Sequence, residues 1–362
     1  MFKIKTLSAH DGDCFIIKIG GENEVNYNIL VDGGRGNRII GQLKAEIATI
    51  IQNGEKLDYI VLTHTDNDHI WGILEIFNKK LIEPKKIGKV LFNSREILSK
   101  EFLDIIEKDE ELLIKNRVSN KITYSQQESL YGWLNNEKVS QNMTGIWIGN
   151  DLQFAIGDAI FKLLSPSYKN LEKLYRQWDQ EFRKSNKKIS RTKSDYTESV
   201  DSLRKRAFIE DTSVVNGSSI SFSLEFLGKK ILMLADSHPS VIVDSLINIY
   251  GEREIDFDLV KVSHHGSKFN TSDKLLETIS CTNYLISTSP QNSHGLPNKE
   301  SLSRIVFNNY KKGKETTFFF NYKNIYCDIF TDEEIKFYKI NFIEPNTMNE
   351  ILEIDIWQLT EN

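Results

Sequence analysis

The chain reads as an α/β protein in which sheets lie inside layers of helix. Strand-like runs open it, alternate with amphipathic helices, and close it again. One apolar run ends in four metal-capable side chains within six residues. With 40% hydrophobic and 27% charged residues, the 362-residue chain can bury a large core, as one big domain or two ordinary ones.

Each element has its own signal. FKIKTL, CFIIKI and YNILVDGG are apolar runs separated by turn residues, and read as strands. Residues 38–53 repeat apolar positions at helical spacing. LDYIVLTH is a short buried strand feeding a polar loop. From 70 to 145 the pattern is mixed, with a helix over 98–115 and the strand KVLFN; LQFAIGD and AIFKLLSP suggest a hairpin. Beyond 212, SISFSLEFLG, KKILMLAD, DLVKVSH and NYLISTS read as strands, with helices at 239–250 and 299–311. TTFFFNY, IYCDIFTD and EEIKFYKINF are again strand-like. No repeat or Pro/Gly/Ser linker marks a domain boundary.

A net charge of −5 argues against wrapping nucleic acid by charge alone. No signal-peptide stretch opens the chain, and no run approaches the roughly 18 apolar residues that span a bilayer. Cys14, Cys281 and Cys327 are odd in number and lie in apolar surroundings, so they read as buried free thiols and point to the cytoplasm. Residues 168–210 stand apart with twelve Lys/Arg against seven Asp/Glu. A solvated arm is expected there, with a nucleic-acid or protein contact as the alternative.

The chemistry concentrates in His64-Thr65-Asp66-Asn67-Asp68-His69. Packing gives no reason to gather two imidazoles and two mutually repelling carboxylates at the end of an apolar strand, whereas a metal ion does. This HTDNDH, followed by Ile70-Trp71-Gly72, resembles the HxHxDH signature of the metallo-β-lactamase superfamily, with Asp66 in place of its second histidine. Ile29-Leu30-Val31-Asp32-Gly33-Gly34 resembles the superfamily's first motif, and Leu232-Met233-Leu234-Ala235-Asp236 the strand ending in a bridging aspartate. Lys261-Val262-Ser263-His264-His265-Gly266-Ser267 resembles the HHGS element of the branch that includes the soluble hydrolase domain of ComEC-type DNA-uptake proteins. His10-Asp11-Gly12-Asp13 is similar to that branch's GxGD, and Asn292-Ser293-His294-Gly295-Leu296-Pro297 to its NxYGHP.

The resemblance implies a four-layer αββα sandwich over residues 1–340, with insertions at about 95–145 and 168–210 and an extension over 341–362. It implies a first metal position held by His64, Asp66 and shared Asp236. The downstream histidine that usually completes it is absent, and Ser165 stands at the equivalent place. The second position would take Asp68, His69, Asp236 and one of the following pair, with His265 favoured and His264 left to face substrate. Asp32, Asp13 and Asn216 would support these ligands. His294, with Asp68 and His264, is a candidate for catalysis; Lys268 for attracting an anion; His238 for replacing a lost ligand. One firmly bound divalent ion is expected, Zn²⁺ or Mn²⁺ with Mg²⁺ possible, and a first position empty or weak and preferring Mn²⁺.

Two functional classes follow. One is a phosphodiesterase or nuclease that activates water with metal. The other is a chemically impaired binding or regulatory subunit of a multi-protein system, such as a bacterial defence module. A β-lactamase or thioester hydrolase fits the HHGS resemblance less well.

Overall fold

The computed structural model describes residues 1–21, 25–110, 122–149, 153–181, 194–292, 294–348 and 350–359. Two sheets dominate. The first runs Leu352–Asp355, Phe2–Thr6, Phe15–Ile19, Tyr27–Val31, Leu57–Val61, Ile87–Leu91, Ser140–Gln141. The second runs Ile340–Ile343, Thr316–Phe320, Asn283–Ile286, Leu259–Lys261, Lys229–Met233, Ser221–Phe226, Ala159–Ser165, Gln153–Ile156.

Side chains alternate across a strand, so one apolar run can serve two cores. Phe15, Ile17 and Ile19 join Phe161, Phe222 and Met233 between the sheets. Ile16 faces the other way, into a core with Leu43, Ile47 and Ile73 of the helices Asn37–Gln52 and Asn67–Asn78. In the second sheet Ile231 and Met233 point inward, while Leu232 and Leu234 share an outer core with Ile242, Leu246, Leu302 and Val306. Helix, sheet, sheet and helix therefore stack in four layers.

The middle strands of each sheet are parallel: Tyr27–Val31, Leu57–Val61 and Ile87–Leu91 in one, Lys229–Met233, Leu259–Lys261 and Asn283–Ile286 in the other. Loops leaving the carboxyl ends of parallel strands gather at one edge, where α/β proteins place ligands. The segments that carry His64, Asp236 and His264 all leave there.

Several expectations from sequence are corrected. The 95–145 segment is helical at Arg95–Glu110 and Ile122–Asn136, but it is not a free insertion. Leu130 and Leu134 join the first sheet's outer core, Trp133 stacks on Phe77 at 4.0 Å, and Ser140–Gln141 adds an edge strand. The basic segment is no solvated arm where it is described. Leu171, Leu174 and Trp178 of Tyr168–Glu181 pack on Leu98 and Phe102, and the Tyr196 hydroxyl donates to Pro297 O at 3.0 Å. Its most basic stretch, 182–193, lies outside the described residues. Where they are described, the residues of the expected 341–362 extension do not trail free: Leu352–Asp355 pairs antiparallel with Phe2–Thr6. IYCDIFTD and EEIKFYKINF are not two strands. They form a short 3₁₀ turn at Tyr326–Asp328 and a helix at Asp332–Tyr338, then the strand Ile340–Ile343. Cys14 and Cys281 are buried thiols, but Cys327 is exposed. Among the described residues, no helix is long and apolar enough to cross a membrane.

Candidate metal centre

The strand Leu57–Val61 delivers His64 to the sheet edge, and Asp66 then caps the helix Asn67–Asn78. Asp68 and His69 fall in that helix's first turn, where the exposed N–H groups favour negative charge. From the facing sheet, Lys229–Met233 leads to Asp236 through Ala235, whose φ is 45°. Leu259–Lys261 leads to His264 and His265.

Four imidazoles surround one carboxylate oxygen. The Nε2 atoms of His64, His69, His264 and His265 lie 3.9, 3.7, 3.8 and 3.6 Å from Asp236 Oδ2. Asp66 Oδ2 is 3.8 Å from His64 Nε2. Asp68 converges with His69 and His265, all three offering ligand atoms within 4.8 Å of one another.

Every ring is held by its other nitrogen. His69 Nδ1 meets Asp32 Oδ2 at 2.8 Å, and His265 Nδ1 donates to Ser287 O at 2.8 Å. Thr63 Oγ1 donates to Asp32 Oδ2 at 2.7 Å, so it accepts from His64 Nδ1 at 3.0 Å. His264 Nδ1 lies 3.0 Å from Asn270 Oδ1. Fixing Nδ1–H in this way turns each Nε2 lone pair inward. The Nε2 atoms of His64, His69 and His265, together with Asp236 Oδ1, are buried without a hydrogen-bond partner among the described residues. Buried polar atoms are rarely left so. Orphaned donors of this chemistry, converging from both sheets, fit one or two divalent ions.

The electrostatics agree. Burial would raise the Asp236 carboxyl, but His265, His264, His69 and His64 hold it well below the carboxylate range. Burial and neighbouring His69 push His64 down to about 3, leaving its imidazole neutral, as metal coordination requires. Burial opposes charge on His69 and His264, yet Asp32 and Asp236 hold the first well above its ordinary value. Asp236 and Asp211 raise the second to about 9. Desolvation, with Asp68 and Asp236 beside it, pushes Asp66 up to about 7 although its side chain still reaches solvent. These are the shifts expected of ligands awaiting a positive charge.

Other candidates are placed as follows. Asp13 Oδ1 is 3.5 Å from His265 Nδ1, and Asn216 Nδ2 is 3.4 Å from His264 Nδ1. Ser165 is fully buried, and no hydrogen bond or ion pair joins it to the cluster among the described residues. His238 is not a ligand: its Nε2 bonds Ser213 O at 3.0 Å. His294 is exposed, and no hydrogen bond or ion pair ties its ring to the cluster among the described residues.

Sequence reasoning missed Lys261 as a site residue. Its ammonium is buried, in contact with Asp13, 3.1 Å from Ala235 O and 3.9 Å from Asp236 Oδ1. It missed Asp211 and Asn270 as well. A lysine inside the apolar run DLVKVSH was the one available signal.

Gly12 shows how tightly the loops are fitted. A Cβ there would lie 1.8 Å from Asp68 O and 2.9 Å from Asp68 Cβ. Gly12→Ala is therefore expected to displace Asp68 and weaken second-position metal binding by about 10- to 100-fold, the range for lost ligand support. Isothermal titration with Mn²⁺ measures this, and unchanged affinity would refute the fit.

Residues 9–115 match the family model described as "Metallo-beta-lactamase superfamily". No curated protein matches the chain. Among solved structures, it is similar to a mutant of CmlA beta-hydroxylase at 13% identity and TM-score 0.37, covering 97% of this chain and 53% of that one. The chain thus spans about half of that protein. A diphosphatase from the PhnP family is similar at 11% identity and TM-score 0.40, covering 98% of both chains. The two sheets between helical layers are consistent with a metallo-β-lactamase fold.

Proposed function

We propose that this chain is a metal-dependent hydrolase of phosphate esters, a phosphodiesterase or nuclease. The observation that carries the reading is the ring of four imidazole nitrogens 3.6–3.9 Å from Asp236 Oδ2. His64, Asp66 and Asp236 would hold one ion, and Asp68, His69, Asp236 and His265 the other. When bound, a divalent ion supplies Lewis acidity and a nucleophile at neutral pH. The chain's own residues do the rest. Asp32 and Ser287 O orient His69 and His265, and buried Lys261 offsets part of the negative charge of Asp13 and Asp236. Lys268 follows the HHGS turn; its ammonium lies 5.2 Å over the Phe269 ring, and no carboxylate pairs with it among the described residues. That leaves it free to attract an anionic ester.

One observation favours the second reading, a binding subunit with little chemistry: Ser165 stands where the resemblance expects a histidine. The test separates the two. Metal-stripped chain reloaded with Mn²⁺ or Zn²⁺ is assayed on bis(p-nitrophenyl) phosphate and on single- and double-stranded DNA and RNA. Hydrolysis should appear with metal and vanish with chelator. Lys268→Ala should raise KM about 3- to 10-fold with little change in kcat, the loss of a ground-state attraction. No metal-dependent turnover on any substrate favours the binding subunit.

A further inference from the structure

We infer that His264 completes the first metal position, standing in for the histidine missing at Ser165, and that Asp211 and Asn270 hold it there. This rests on the reading of the cluster as a divalent-metal centre.

The sequence offers that position one imidazole and two carboxylates, a poor donor set for a tight site. The fold offers one more. His69 converges both with Asp68 and His265 and with His64 and Asp236, so His264 is the imidazole beside Asp236 that neither group uses. Its Nε2 is 3.8 Å from Asp236 Oδ2, matching the 3.9 Å of His64, and His64 Nε2 in turn lies 3.8 Å from Asp66. Two donors at about 2.1 Å from one tetrahedral ion are separated by about 3.4 Å. Each imidazole therefore needs only a few tenths of an ångström of closure toward Asp236 Oδ2.

The backbone explains how consecutive histidines reach one carboxylate. In an extended strand their side chains would point to opposite faces. Here His264 (φ 46°, ψ 53°), His265 (φ 55°, ψ 26°) and Gly266 (φ 81°) are left-handed in succession. Non-glycine residues adopt this conformation only where the surroundings enforce it. The turn is pinned by His264 N–H donating to Ala235 O at 2.8 Å and Asn298 N–H to Gly266 O at 3.0 Å. It brings both rings to Asp236, with their Nε2 atoms 3.8 and 3.6 Å from Oδ2.

The cradle around His264 is built as ligand support. Asp211 Oδ2 is 3.6 Å from His264 Nδ1 and accepts from Asn216 Nδ2 at 2.7 Å and Asn270 Nδ2 at 3.3 Å. Asn270 Oδ1, 3.0 Å away, accepts the Nδ1 proton. His69 has the same arrangement with Asp32.

The test counts ions. Full-length chain is stripped, dialysed against Mn²⁺ and separately Zn²⁺, and analysed by elemental mass spectrometry, with circular dichroism of the stripped samples as a folding control. Wild type should retain close to two ions, and His264→Ala one. Asp211→Asn should fold and bind the second ion at least tenfold more weakly, as lost support does. Cobalt loading gives an independent readout, because the visible band of the first-bound ion should be unchanged in His264→Ala and that of the second absent. A wild type with two ions and a His264→Ala variant that also keeps two would overturn the inference, as would a wild type that saturates at one. A wild type that binds none would overturn the metal centre itself.

Discussion

Asp236→Ala should empty both metal positions at once, because its Oδ2 lies within 4 Å of all four imidazole Nε2 atoms. Two readouts are expected to move together. Elemental analysis should fall to background, and the thermal stabilisation that metal gives wild type should disappear. A ligand present at a thousand times its dissociation constant stabilises a fold by about 4 kcal/mol, so the loss is large. Asp236→Asn keeps the side-chain shape and should behave almost as badly, since a neutral amide cannot serve two cations. If either variant still gains melting temperature on adding Mn²⁺ or Zn²⁺, Asp236 is not the shared ligand.

The second large effect belongs to Lys261. Its ammonium and the Asp13 carboxylate are each about 1% exposed and in contact. Removing one partner of such a pair strands a buried charge and costs about 3–5 kcal/mol. Lys261→Met should therefore lower the urea midpoint of the metal-free chain sharply, while Lys261→Met with Asp13→Asn should cost less than the two single changes added together. The pair also has a signature in acid. Burial would raise Asp13, but Lys261 and then His265 hold it at about 2, below the roughly 3.9 of an unfolded aspartate. Its contribution is therefore present above about pH 4 and lost as pH falls through 2. Urea unfolding at pH 7 and pH 3 should show wild type losing more stability than Asp13→Asn. A Lys261→Met chain within 1 kcal/mol of wild type at pH 7 would mean that the pair does not stabilise the fold.

How much of this was visible beforehand depended on distance along the chain. His64, Asp66, Asp68 and His69 crowd into six residues after an apolar strand, so their chemistry was visible locally. Asp236 and His264-His265 were visible because each ends a strand-like run. The helix Asp332–Tyr338 was misread as strand although its start signal was present: Thr331 and Glu334 form a reciprocal capping box. The apolar spacing of IYCDIF and IKFYKI outweighed it. Asp211, Asn270 and Lys261 carried no comparable local sign, since each acts on a residue that the fold brings to it.

The sequence by itself determined the class of fold, the strand-end placement of the histidines and aspartates, and their suitability for a divalent metal, because periodicity and clustering are local properties of a chain. Only the tertiary structure decided which nitrogen of each ring faces Asp236, and that His238 turns away to Ser213. It also decided that Leu352–Asp355 returns to pair with the first strand, and that His264 joins the cluster. Those outcomes depend on backbone torsions and on partners up to some 350 positions apart. No local pattern encodes the meeting of two such surfaces; it follows from packing both sheets against one shared core.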